Sequence, residues 1–169
     1  PGIQDQSGNA MDQDGDGAQG EVPDDRYTAT FSIADAYIFP AADVPVPLAF
    51  FGSAVSQLEV GQDLIIDDVN VSVDLRHPAV QNLWITLVAP DGTTVTLTQL
   101  SGSGSDFAGT VFDDEASLPL SGGQSPYQGS YLPASPLAAL DGKAVQGTWQ
   151  LRVSNWGLFT GTLEAWSLI

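Results

Sequence analysis

Short runs of alternating apolar and polar residues fill most of the chain beyond residue 54, and Gly, Pro, Asp or Asn closes each run. Val55 to Val60 opens the series. Val69, Val71, Val73 and Leu75 then place their side chains on one face of the next segment, with Asn70, Ser72 and Asp74 on the other. A period of two is the mark of a half-buried strand. LWITLVAP (83–90) and TVTLTQL (94–100) flank the turn Pro90, Asp91, Gly92 and predict a hairpin with a short loop. Towards the end, Trp149, Leu151 and Val153 share one face of TWQLRVSN, and GTLEAWSLI supplies a last strand. Both Trp149 and Trp166 are expected to fill the space between two sheets. Leu163 and Trp166 fall on opposite faces of a regular strand, so a bulge near Glu164 or Ala165 is predicted to bring both inward. No window carries a helical period, and PLAALDG (136–142) suffices for one turn at most. The pattern predicts an all-β fold, a jelly-roll-like β-sandwich with long Gly-rich loops.

Three stretches break the alternation. Residues 36–52 are rich in Pro and Ala, with Pro40, Pro45 and Pro47 opposing helix and central strand alike, and read as an extended lead-in loop. Between the hairpin and the closing strands, SGSGSDFAGT, FDDEA and SGGQSPYQGSYLP read as a long irregular stretch, of the kind that tends to be functional or metal-bound. The first 25 residues hold seven carboxylates, no base and few sizeable apolar residues, so they form no core of their own. A single strand follows them, with Tyr27, Ala29, Phe31 and Ile33 alternating against Thr and Ser. The expected division is an acidic tail and linker over 1–35 and a sandwich over 36–169.

Composition narrows the partners. With 169 residues there is room for one domain of ordinary size and an appendage. Four Lys and Arg against 21 Asp and Glu give a net charge of -17, which repels nucleic acid and anionic membrane and attracts cations. The chain has no cysteine, so thiolate metal sites and disulfides are excluded. No apolar run approaches the roughly 18 residues that span a bilayer, and no membrane insertion is expected. The chain starts at Pro1 without a leader and is read as part of a longer product that is secreted or displayed at the cell surface.

Catalysis finds few groups. His77 is the one histidine, and a Ser-His-Asp triad needs such a base oriented by a carboxylate; in LRHP it reads as a structural strand-end residue. Asp113, Asp114 and Glu115 are adjacent acids in one loop and project apart, whereas a glycosidase pair flanks one bond from opposite sides. Calcium suits them better: Asp106, Asp113, Asp114 and Glu115 surround a Gly109-containing loop, and Asn82 can add an amide oxygen from the hairpin edge. The other reading is that Asp113 and Asp114 cap turns without metal. In the tail, Asp12, Asp14 and Asp16 alternate before Gly17 as in the first half of a calcium loop, although Pro23 occupies the place of the bidentate Glu. Trp156 lies between the turn formers Asn155 and Gly157 and is predicted to be more than half exposed in the last hairpin turn, where it and Phe159 could stack on a ligand such as a polysaccharide.

Five segments in order carry a longer resemblance: VSVDLRHPAVQNLWITLVAPDGTTVTL from Val71, DFAGTVFDDEA from Asp106, SPYQGSYLP from Ser125, GTWQLRV from Gly147 and GTLEAWSL from Gly161. Together they resemble the P domain of proprotein convertases, the β-sandwich module that follows the catalytic domain in kexin-like and furin-like subtilases and occurs in bacterial secreted proteins. The resemblance implies a non-catalytic accessory module that stabilises or docks a neighbouring protease-like or adhesive domain of the same polypeptide. A carbohydrate-binding module is the alternative. Asn82 stands where the family commonly has Asp, which weakens a cation ligand there, and SNWGLFTG lacks the acids often found in the family's final turn. The stretch SGNAMDQDGDG with YTATF resembles the closing hairpin of bacterial immunoglobulin-like modules.

Overall fold

The computed structural model describes residues 17–18 and 37–169. The chain separates into two compact units, 1–35 and 36–169, and the account below concerns the second. The strand predicted from Tyr27 and the tail acids Asp12, Asp14 and Asp16 lie outside the described residues.

Ten strands form two sheets: β1 (Phe39–Pro40), β2 (Val46–Leu48), β3 (Ser53–Val60), β4 (Val71–Arg76), β5 (Leu83–Val88), β6 (Thr94–Gln99), β7 (Phe107–Phe112), β8 (Tyr127–Tyr131), β9 (Gly147–Asn155) and β10 (Gly161–Leu168). One sheet has the order β1-β10-β4-β7-β8 with β2 also paired to β10; the other has the order β3-β9-β5-β6. All pairs are antiparallel except β7 with β8. Alternation decides which face each strand buries: in β3, Ala54, Ser56, Leu58 and Val60 point inward, and in β4 Val71, Val73 and Leu75 do so. The inner faces interdigitate around Trp149, Phe107, Phe112, Tyr127 and Trp166. The result is the all-β sandwich the periodicity predicts.

The register of β10 against β4 shifts between Leu163 and Ala165, and that irregularity lets Leu163 and Trp166 both face the core. Three expectations are corrected. Residues 36–52 are not simply a loop, because β1 and β2 pair with β10 at the sheet edge, where Pro40 and Pro47 are tolerated. The stretch after the hairpin contains β7 and β8; the positive φ of Gly109 and a register shift in β7 break the strict alternation that would have marked them. Finally, β9 and β10 belong to different sheets, so the turn between them crosses the sandwich and is not a hairpin.

One polar chain spans the core. Trp166 Nε1–H in one sheet donates to Ser56 Oγ in the other at 2.6 Å, and Ser56 donates onward to the Asp43 carboxylate, whose second oxygen accepts the Gln57 N–H at 2.7 Å. Buried polar atoms are tolerated when partnered in this way. At the β5–β6 turn, Asp91 accepts from Lys143 Nζ at 2.6 Å and from Thr93 N–H at 2.9 Å. The Lys143 hydrogen bond, with those from Thr93, lowers the Asp91 pKa from 3.8 to about 2. A depressed folded pKa means the interaction is present above the unfolded value and lost as pH falls through the folded one. Carboxyl NMR titration should therefore place the Asp91 midpoint near 2, and Lys143→Ala should move it up towards 3.8. An unmoved midpoint in that variant would show that Lys143 does not set the ionisation.

Candidate functional site

The register of β7 separates the acids that the sequence groups together. Leu75 pairs with Phe107 and Val71 with Phe112, so Asp106 and Asp113 sit at opposite ends of a six-residue strand. That length is roughly 20 Å. Asp106, with φ of 60°, turns back onto the end of β4: its Oδ1 accepts the His77 N–H at 2.8 Å, and its own N–H donates to the His77 carbonyl at 3.0 Å. Asn82 ends a short 3-10 turn (Val80–Asn82), and its carbonyl accepts the Trp156 N–H at 2.8 Å. Its side chain lies against Gly157, where any Cβ would overlap the amide, so Asn82 is part of the β9–β10 turn rather than of the acidic loop.

At the far end of β7 the two adjacent aspartates do different things. Asp113 Oδ1 accepts the Glu115 N–H at 2.8 Å and closes a local turn. Asp114 reaches across to the 3-10 helix Leu137–Leu140, where its two oxygens accept the Leu137 and Ala138 N–H groups at 3.0 and 2.9 Å. This is a cap supplied from a distant segment, and it ties the acidic loop to buried Leu137 and Leu140. Replacement of Asp114 by Ala should cost about 2 kcal/mol of unfolding free energy, with Asp114→Asn losing about half as much because one acceptor remains. Urea titrations read both, and equal losses in the two variants would contradict the cap.

Five predicted ligands are thus distributed over three places: Asp106 and Asn82 at one end of the sandwich in separate corners, and Asp113, Asp114 and Glu115 at the other. Among the described residues no three His, Asp or Glu side chains gather on one ion position. What remains is a smaller acidic corner, where Asp113, desolvation and the charge of Asp68 push the Glu115 carboxyl above its ordinary range.

His77 is buried, and its Nδ1 accepts the Ala79 N–H at 3.1 Å. The ring proton therefore resides on Nε2, which has no hydrogen-bond partner. A shallow cavity of about 380 Å³ opens beside it, lined by Arg76, Ser105, Asp106, Thr160 and Thr162 among others. Asp106 binds the backbone of His77 and not its imidazole, so the oriented base that a hydrolytic triad requires is not formed by this pair.

Trp156 is 59 % exposed, as the sequence predicts, and Phe159 is 53 % exposed. The residue the sequence undervalues is Asn155. It is buried, its Nδ2 donates to the carbonyls of Ala49 and Phe159 at 2.9 and 2.6 Å, and its Oδ1 accepts the Gly157 N–H at 3.0 Å. Ala49 is 106 positions away in sequence, and no local pattern announces a partner at that distance.

The profile of the proprotein convertase P-domain matches residues 66–169, and the chain belongs to that family. Solved structures similar to it include the serine protease of Aeromonas sobria in complex with the chaperone ORF2, at 20% identity and a TM-score of 0.46 over 79% of this chain and 26% of that one. The same protease alone gives 20% identity and a TM-score of 0.45 over 81% and 27%. The chain thus spans about a quarter of the length of those structures. No curated protein matches it. Among the described residues no helix is long and apolar enough to cross a membrane.

Proposed function

We propose that this chain is a non-catalytic accessory module of a larger secreted polypeptide, in which it stabilises or docks a neighbouring protease-like or adhesive domain. Membership of the P-domain family across residues 66–169 is the observation that carries the reading. The state of His77 agrees with it, since a buried ring with one nitrogen engaged by Ala79 is a strand-end strut. The exposed Trp156 and Phe159 favour the carbohydrate-binding alternative, but sugar hydroxyls also require polar partners beside the rings. Asn155, the amide of that turn, is already occupied by Ala49, Gly157 and Phe159.

The test is thermal unfolding of the full-length polypeptide with and without residues 36–169. Removal should lower the melting temperature of the neighbouring domain by several degrees; an unchanged midpoint would refute the accessory role.

Calcium enters this proposal at the pair Asp113 and Glu115, where the hydrogen bond with Asp113, desolvation and the charge of Asp68 raise the Glu115 pKa. An ion completed by carbonyls and water would relieve that charge. Free calcium at ten times its dissociation constant should raise the melting midpoint over that in EDTA by roughly 4 °C. The increment should vanish in Asp113→Ala. Coincident melts with and without calcium would take the ion out of the proposal.

A further inference from the structure

The ring of His77 is 1 % exposed, yet its Nε2–H has no acceptor among the described residues. Protein interiors pair such donors almost without exception, so water or a ligand has to supply the acceptor. The surroundings of the ring give the direction. Nδ1 is turned to the Ala79 N–H, whereas the Cδ2 corner, next to Nε2, lies against Gly161, where a Cβ would come within 2.8 Å of Cδ2 and 2.6 Å of the Arg76 carbonyl. Gly161 opens β10 with no positive φ, so its missing side chain is what the ring requires. His77 and Gly161 both line the cavity of about 380 Å³, with Arg76, Asp106, Thr160 and Thr162 around them.

The chemistry of the wall selects the ligand. Because Nδ1 accepts from Ala79, the ring proton is on Nε2 and no lone pair remains there for a metal ion. A simple anion meets two carboxylates around one guanidinium, since Asp106 lines the cavity and Glu164 stands 3.5 Å from Arg76 Nε, in a chain of net charge -17. A simple cation meets Arg76 and the His77 N–H. Among the described residues no aromatic ring besides the imidazole lines the cavity, so a sugar ring has no face to stack on. A dipolar ligand without net charge meets none of these objections. Its acceptor end takes the His77 Nε2–H and the Arg76 guanidinium, whose side chain is 80 % exposed and whose contact with Glu164 runs through Nε, leaving the Nη groups. Its donor end takes Asp106, whose Oδ1 is held by the His77 N–H and whose Oδ2 remains. We propose that this cavity is a binding site for a free α-amino acid, carboxylate toward His77 and Arg76, ammonium toward Asp106, and the hydroxyls of Thr160 and Thr162 beside them. The volume is at the small end for ligand sites and suits a molecule of that size. A shallow cavity does not select the side chain, and so few atoms bind in the millimolar range. The site goes beyond the accessory role and does not rest on it.

Titration of the full chain with L-alanine at pH 7, followed by NMR on the His77 ring N–H and the Thr162 amide, tests the site. The expected result is a saturable shift of both signals with a midpoint on the order of 1 to 10 mM. L-alaninamide, which lacks the carboxylate, and N-acetyl-L-alanine, which lacks the ammonium, should each bind about tenfold more weakly at matched ionic strength. Two variants assign the ends. Arg76→Gln should abolish the preference for L-alanine over its amide. Asp106→Asn, which tolerates the φ of 60° and keeps an oxygen for the His77 N–H, should abolish the preference over N-acetyl-L-alanine. Both variants should melt within about 2 °C of the parent. No saturable shift up to about 100 mM overturns the proposal and leaves the Nε2–H to water. Equal binding of the blocked forms overturns it too, as does a preference that either variant retains, or saturation by glucose in place of L-alanine.

Discussion

Trp149→Ala is expected to bring the sandwich close to the limit of stability. The indole lies near the start of β9, fully buried, with Leu58 across the β3 pairing and the inner face of the opposite sheet above it. Its Nε1–H donates to the Val145 carbonyl at 2.7 Å, so truncation removes a large apolar volume and leaves a buried acceptor without its donor. Large aromatic-to-alanine changes in cores cost about 3 to 5 kcal/mol, and the lost hydrogen bond places this one at the upper end. Domains of this size are stable by only about 5 to 15 kcal/mol. Trp149→Phe keeps most of the volume and should lose about 2 kcal/mol, chiefly through Val145. Urea unfolding of both variants separates packing from hydrogen bonding. An alanine variant within about 1 kcal/mol of the parent would mean that the core collapses around the site, contrary to the close packing described.

The strands that were legible are those whose two faces differ in environment. β3, β4, β5 and β6 alternate because one side meets the core and the other meets water, and the bulge in β10 announced itself through the misfit of Leu163 and Trp166. β7 was not legible, because a glycine with positive φ and a register shift put Phe107, Thr110 and Phe112 inward at unequal spacing. The candidate site suffered from the same strand. Seven positions of sequence separate Asp106 from Asp113, which suggests a loop that can fold around an ion; as an extended segment those positions place the two acids a strand length apart. Asp114 illustrates the converse. The sequence offers it either as a metal ligand or as a turn cap, and what decides is the helix Leu137–Leu140, whose N–H groups arrive from more than twenty residues away. Exposure of Trp156 was readable from its flanking turn formers, whereas the neighbouring apolar segment at Phe50 and Phe51 joins it through long-range pairing alone.

Asn155→Ala should destabilise the fold by about 3 kcal/mol, a large effect for a residue that reads as an ordinary turn former. Its amide is a junction between three segments: the carbonyl of Ala49 ahead of β3, the carbonyl of Phe159 in the β9–β10 turn, and the Gly157 N–H within that turn. Deleting it leaves two part-buried acceptors and the buried Gly157 donor without their partner, at a position where Asn155 itself is only 3 % exposed. Asn155→Asp decides whether hydrogen bonding or shape matters. The carboxylate has nearly the same volume and still accepts from Gly157, yet it presents an oxygen to the carbonyls of Ala49 and Phe159 in place of two N–H donors, and it buries a charge. If the clamp works through its hydrogen bonds, Asp at neutral pH is worse than Ala, and the Trp156 loop becomes the first site of limited proteolysis. If the side chain merely fills space, Asp is the milder change. Chemical denaturation of the two variants at pH 7 therefore has opposite expected rank orders under the two accounts, and the geometry around Nδ2 commits to Asp as the more damaging.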